Sequence, residues 1–182
     1  CCSADTAGDA PAVARALGVA HNVLNPEDEF RRAVIEPFVG AYRDGRTPVP
    51  CVACNYELKF GSLLARARAW DAAAVATGHY ARVTRDGSTG RYRLWKGRDP
   101  RKDQSDFLWP LTQAQLAGAR FPVGDLTKDD VRAHARRLGL ATADKPESQE
   151  ICFVPDGDYR GFLRREDAGM FRPGPIVDLG GR

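Results

Sequence analysis

The chain has 182 residues, 43% of them apolar, and a formal net charge of +3; that is enough apolar content to bury one real core, so a single domain or a domain with a fragment of another is expected. The cysteines at positions 1, 2, 51, 54 and 152 are odd in number and irregularly spaced, which excludes a secreted disulfide framework and favours a reducing, cytoplasmic compartment. No apolar run approaches the roughly 20 residues of a spanning helix and the start lacks the regions of a signal peptide, which excludes a membrane protein.

The chain opens Cys1-Cys2-Ser3 without a methionine and halts within a strand-like run over 173–182, so it reads as a piece of something longer. Asp9 caps a first helix with Pro11 early in it, Val13, Ala14 and Leu17 on its apolar side and Gly18 at its end. Residues 19–24 read as a strand. Asn25-Pro26-Glu27-Asp28 opens a second helix with a cap, an early proline and acidic residues that suit its dipole. Along it Phe30, Val34, Phe38 and Tyr42 recur at i+4, with a kink expected at Pro37. Asn55 is read as the cap of a third helix reaching Trp70, and the apolar run 72–76 follows as a strand. Residues 80–84 and 91–96, joined by Asp86-Gly87-Ser88-Thr89-Gly90, predict a hairpin. Thr127 with Asp130 forms a capping box for a helix carrying Val131, Ala135 and Leu138, which Gly139 stops. The turn-rich stretch 144–158 separates this alternating α/β part from a tail with a short helix and a strand.

Charge is unevenly spread. Between Tyr80 and Lys102 eight basic residues face two acidic ones, a local charge of +6, and Tyr80, Tyr92 and Trp95 are interleaved with them. That mixture neutralises phosphates and offers flat faces to bases; it is also the pattern of a solvated hairpin.

Cys51 and Cys54 form a C-x-x-C. A structural zinc site needs about four ligands, and Cys1, Cys2, Cys152, His21, His79 and His134 supply no matching second pair. A thioredoxin-like redox pair stays open. So does a nucleophile's role for Cys54, which stands just before the expected cap Asn55, where helix N–H groups favour a thiolate, and so does a small buried hydrophobe. Cys152 lies in a polar loop bounded by proline and glycine, between Ile151 and Phe153.

The segments Gly45-Arg46-Thr47-Pro48 through Cys54-Asn55-Tyr56-Glu57-Leu58-Lys59-Phe60, Ala76-Thr77-Gly78-His79-Tyr80-Ala81-Arg82, Lys102-Asp103-Gln104-Ser105 and Ser148-Gln149-Glu150-Ile151-Cys152-Phe153 resemble, in order and spacing, the tRNA-specific 2-thiouridylases. Phe121-Pro122-Val123-Gly124-Asp125-Leu126-Thr127-Lys128 and Pro173-Gly174-Pro175-Ile176-Val177-Asp178 extend the resemblance over essentially the whole chain. It implies a Rossmann-like adenine nucleotide alpha hydrolase (PP-loop ATPase) domain of α/β class with a parallel sheet, incomplete over 1–158, followed by the start of a small central domain at 159–182.

The activity implied is ATP-dependent transfer of sulfur to C2 of the wobble uridine of tRNA, with Mg²⁺ accompanying ATP, no structural metal, and a cysteine desulfurase or sulfur-relay protein as donor. Adenylation turns the C2 oxygen into a leaving group and a polarisable persulfide attacks the carbon. By match to the family motif Cys152 carries the persulfide, and Cys54 is the second catalytic thiol, closing a disulfide with it. Gly78 matches a glycine that approaches ATP; Lys102, Asp103 and Gln104 match a tRNA-contacting loop; Val49, Pro50 and Cys51 fall where the family meets the target base, often as Asn-Pro-Asp. Here Val49 replaces the usual asparagine and Cys51 the frequent aspartate. The family's Ser-Gly-Gly-x-Asp-Ser phosphate loop does not occur in the chain, so the fragment alone is expected to be inactive. Two other readings stay open: a nonenzymatic RNA-binding module, and a zinc or thiol-redox protein built on Cys51 and Cys54.

Overall fold

Helices make up most of the regular structure among the described residues, and two long ones set the positions that matter. The computed structural model describes residues 8–146, 151–172 and 174–181. Helix α1, Asp9–Leu17, ends on Gly18 at φ 66°, whose N–H closes onto Ala14 and Arg15 as a left-handed cap. Helix α2 runs through Glu27–Phe30, a wide π stretch Arg31–Ile35 and Glu36–Arg43. The π stretch ends two residues before Pro37, which has no N–H to give and whose ring crowds the preceding turn. Helix α3 is built likewise, from Pro50–Ala53, a wide stretch Cys54–Ser62 and Leu63–Ala69.

Strand β1, Val75–Ala76, pairs in parallel with β4, Ala119–Arg120, and Thr77 N–H continues the ladder to the Arg120 carbonyl at 3.0 Å. This parallel pair sits on α3, in a core of Phe60, Leu64, Ala67, Val75, Leu108, Leu116 and Ala119. Strands β2, Ala81–Arg85, and β3, Tyr92–Lys96, form the expected hairpin, with Ala81 opposite Lys96 and Arg85 opposite Tyr92. Its turn is organised by Asp86, whose carboxylate accepts from the N–H groups of Ser88 and Thr89 at 3.0 and 2.9 Å. Gly124 is needed where it stands, because a Cβ there would lie 1.9 Å from the Ala81 carbonyl oxygen. Helix α4, Gln113–Gly118, leads into β4, and α5, Lys128–Arg137, has the expected Thr127/Asp130 capping box. Helix α6, Tyr159–Glu166, packs Phe162 and Leu163 against Phe38 and Val39 of α2, and bidentate Arg31–Glu166 hydrogen bonds at 2.9 and 3.2 Å lie beside the contact.

Four sequence expectations are corrected. Asp9 does not cap α1: it is the first helical residue, Gly8 stands at the cap position, and no side chain caps the helix. Residues 19–24 form no strand: Val19 and Val23 are exposed, and no described strand pairs with them to satisfy their backbone. Residues 174–181 are also irregular, with Ile176 and Leu179 fully exposed. Asn55 caps nothing. Helix α3 starts five residues earlier, with Val49 extended at φ −113°, ψ 90° and Pro50 in the first turn, where its missing N–H costs nothing.

Candidate active site

The helix start moves Cys54 inside the second turn. Its sulfur therefore loses the open N–H groups expected of a cap, and burial pushes its pKa up, with Lys59 opposing and Cys152 and Cys51 adding to the rise. The expectation of a thiolate favoured by the helix start at Cys54 is thus reversed. The terminus belongs instead to Cys51, which is exposed; its thiol too is raised, by partial burial of the sulfur and then by Cys152, against Lys59 and its own backbone N–H.

The fold brings Cys152 to these two cysteines. Cys54 packs on a cluster of Phe30 and Val34 from α2 and Leu58 from α3, and Phe153 packs on the same cluster. The Phe153 ring meets Phe30 at 5.7 Å, Phe38 at 5.2 Å and Phe162 at 5.2 Å between centroids, the first two edge-on. A tight turn, Val154 N–H to the Ile151 carbonyl at 2.8 Å, then presents Cys152 at the surface. Cys152 acts electrostatically on both Cys51 and Cys54. Among the described residues all three are thiols. Ser148, Gln149 and Glu150 of the same motif lie outside the described residues.

A cavity of about 530 Å³ opens beside Cys54, lined chiefly by Phe30, Leu58, Lys59, Leu63 and Phe153, with Arg66 among its polar residues. The charge of Lys59 lowers the pKa of Cys51, Cys54 and His79, in each case against or alongside the larger effect of burial. His79 is buried and held neutral, its pKa lowered to about 4 by burial and then by Lys59; it shares a 2.7 Å hydrogen bond between Nδ1 and Thr77 Oγ1. Asn55 donates to the Phe107 carbonyl at 3.1 Å, while its Oδ1 is buried without a partner among the described residues. In the sequence Asn55 reads as a helix cap and His79 only as a weak metal-ligand candidate, while Lys59 stands in a motif without a role of its own. The signal was there, as polar residues inside otherwise apolar helix and strand ends, but only the fold shows that Asn55 and His79 are buried and that Lys59 acts on His79.

The other expected site residues separate into two groups. Val49 is exposed, Pro50 buried and Cys51 exposed, so this segment presents one thiol and one apolar side chain outward. Gly78 is exposed, and a Cβ there would meet nothing within 4 Å. Asp103 accepts from the Gly97 N–H at 2.8 Å and the Ser105 hydroxyl at 2.9 Å, and Gln104 accepts from the Tyr80 N–H at 3.1 Å. Both side chains thus tie their loop to the hairpin and to the Gly78-His79-Tyr80 corner. Next to them Trp95, Lys96, Asp103 and Trp109 line a recess of about 520 Å³, with Trp109 72% exposed. Arg91, Arg93, Lys96, Arg98 and Arg101 are exposed along the same stretch.

Among the described residues no group of three or more His, Cys, Asp or Glu is placed to hold a metal ion. No helix of the described residues is long and apolar enough to cross a membrane.

The family described as the tRNA methyl transferase HUP domain matches residues 1–156. Over 182 residues, all of this chain, the sequence is 53% identical to the tRNA-specific 2-thiouridylase MnmA of Heliobacterium modesticaldum, covering 47% of that protein. It is 54% identical to the enzyme of the same description from Chloroflexus aggregans, covering 50% of it, again along the whole of this chain. The corresponding figures for Moorella thermoacetica are 50% identity and 51% of the relative, with this chain covered in full. The chain spans about half the length of these curated relatives.

Proposed function

The chain belongs to the tRNA methyl transferase HUP domain family, a nucleotide alpha hydrolase class of α/β fold, and from that premise we propose that the protein it forms transfers sulfur to C2 of the wobble uridine of tRNA. The observation that carries the reading is that Cys54 and Phe153 share the Phe30–Val34–Leu58 cluster, which holds the two motif thiols in one neighbourhood although they lie far apart in sequence.

Cys152, on its exposed turn, takes up the sulfur as a persulfide from a cysteine desulfurase or relay protein. The terminal sulfur bonds to C2 of the activated uridine as the C2–O bond breaks. Cys54 then attacks the Cys152 sulfur, the S–S bond to the transferred sulfur breaks, the thiocarbonyl is left on the base, and a Cys54–Cys152 disulfide remains. Lys59 opposes the rise that burial gives the Cys54 thiol, and burial keeps water from this half-buried sulfur. Polarisable sulfur is the suitable nucleophile near neutral pH.

ATP supplies the adenylate that makes the C2 oxygen leave. Open space at Gly78 suits close approach of a nucleotide, but the Ser-Gly-Gly-x-Asp-Ser pattern that would hold its phosphates does not occur in these 182 residues. The residues present therefore do not complete a triphosphate site, and the chain alone is proposed to turn over no ATP; Mg²⁺ would belong with those phosphates. The basic stretch from Arg91 to Lys102, with Trp95 and Trp109, suits the phosphates and bases of tRNA, with Val49, Pro50 and Cys51 at the target base. Asp103 and Gln104 act there by holding the loop that carries Lys102. We place the catalytic domain at 1–158, the start of a further domain at 159–182, and the protein in the cytoplasm.

The test is nucleoside mass spectrometry of tRNA from the host after Cys152→Ser. Loss of 2-thiouridine is expected; its persistence would favour a nonenzymatic RNA-binding module and end this reading.

A further inference from the structure

We propose that the recess lined by Trp95 and Trp109 is a subsite for an unpaired base of the tRNA, a second base beside the uridine that reacts. The inference rests on the tRNA reading above and adds one binding site to it.

The recess has the walls a base requires. Trp95, near the end of β3, and Trp109, just past the loop that carries Lys102, line a volume of about 520 Å³ together with Leu94 and Pro100. Aromatic faces stack on any base, since every base has a π-face. Trp95 is held ready for this: its Nε1–H donates to Thr84 Oγ1 at 2.8 Å across the hairpin, so the indole loses little freedom on contact. Trp109 is the most exposed of the three tryptophans, although a ring of that size is ordinarily well covered in a folded chain.

Charge selects a base over a phosphate inside the recess. Asp103 and Asp106 line it, and two carboxylates repel a phosphate group. Lys96 lines it too and is exposed, as are Arg98 and Arg101 on the stretch that follows. These cations suit the phosphates on either side of a seated nucleotide, while the rings take its base.

The place of the recess in the fold ties it to the reaction. The turn Ser105–Phe107 that leads to Trp109 is fastened to α3 by Asn55, the residue after Cys54, whose buried Nδ2 donates to the Phe107 carbonyl at 3.1 Å. Gln104 of the same loop accepts from the Tyr80 N–H at 3.1 Å. The recess is thus fixed relative to the helix bearing the thiol, yet it shares no lining residue with the cavity beside Cys54. A base lodged there is not the target. The wobble uridine lies in a loop of unpaired nucleotides, and single-stranded RNA is recognised by splaying such bases onto aromatic side chains. Seating one neighbour in the recess holds that loop while the uridine reaches the cysteines.

The experiment measures binding of an anticodon stem-loop RNA, and of a fully paired RNA of the same length, to the protein at the length its host makes it, over a range of salt. In Trp109→Ala the affinity for the stem-loop is expected to fall about tenfold with its salt slope unchanged, because a stack is lost and no phosphate contact. Trp109→Phe keeps a flat ring and is expected to lose less than about threefold. The paired RNA should bind the wild type and Trp109→Ala alike. Ultraviolet crosslinking of the wild type, mapped by mass spectrometry, should join an unpaired nucleotide other than the wobble uridine to Trp95 or Trp109. Urea unfolding establishes that the variants are folded, as substitution at an exposed site leads one to expect. Undiminished stem-loop binding by Trp109→Ala, which would leave the recess to a protein partner, overturns the proposal. So does an equal loss for the paired RNA, a salt slope reduced by about one, or a crosslink to the wobble uridine itself. Failure of the underlying function is separately visible, as 2-thiouridine surviving Cys152→Ser.

Discussion

Replacing Phe153 by alanine tests whether packing, rather than sequence, creates the thiol pair. Phe153 is half-buried and its ring meets Phe30, Phe38 and Phe162 at 5.7, 5.2 and 5.2 Å. A fully buried Phe→Ala change costs about 3–5 kcal/mol, so half-burial gives about 2–3 kcal/mol here. Not all of that anchors the turn, because Val154 is 2% exposed and stays seated beside Phe38 and Leu163. If about half of the loss, roughly 1.4 kcal/mol, falls on holding the turn against α2, the bound arrangement weakens about tenfold. Formation of disulfide between Cys152 and either α3 cysteine under limiting diamide should then slow by about that factor. Phe153→Leu, which keeps much of the volume, should slow it less than about threefold. Urea unfolding of each variant separates this local effect from global loss. Phe153→Ala with wild-type crosslinking kinetics and a stability loss of the expected size would refute the argument, since the turn would then be held by something other than the aromatic cluster.

Gly124→Ala should destabilise the fold by about 1–3 kcal/mol or more, because its Cβ would overlap the Ala81 carbonyl at 1.9 Å, while Gly78→Ala, with open space around it, should stay within about 0.5 kcal/mol; parallel urea titrations compare them. His79 is neutral in the fold, with its pKa lowered from 6.5 to about 4, so the unfolded chain binds the proton first. Stability should therefore fall as pH drops from about 6.5 towards 4, by up to about 3 kcal/mol. His79→Gln should flatten that part of the profile, and an unchanged slope in the variant would refute the assignment. Lys96→Ala should weaken binding of unfractionated tRNA about equally across species and reduce the salt slope by about one, measured by filter binding over a range of salt. The isolated 182-residue chain should convert no ATP to AMP, and measurable turnover by it would refute the incomplete-site argument.

Sequence alone determined what local chemistry controls. The hairpin from Ala81 to Lys96 follows from alternation and an Asp-Gly turn, the start of α5 from Thr127 and Asp130, and the end of α1 from the freedom of Gly18 at positive φ. In each case the decisive interactions lie within a few residues. The motif order likewise marked Cys54, Gly78, Lys102 and Cys152 without any coordinates. Tertiary structure decided the rest. Residues 19–24 have the composition of a strand, yet a strand exists only where another supplies its hydrogen bonds. Asn55 has the side chain of a cap, but Pro50 begins the helix first, so Asn55 is carried into the core against Phe107 and Cys54 into a half-buried turn. That displacement reverses the expected shift of the Cys54 thiol, because burial outweighs the dipole once the open N–H groups are a turn away. Only the meeting of Phe30, Leu58 and Phe153 brings Cys152 to Cys51 and Cys54, since apolar contact across long sequence separations is fixed by how the helices pack and leaves no local trace in the chain.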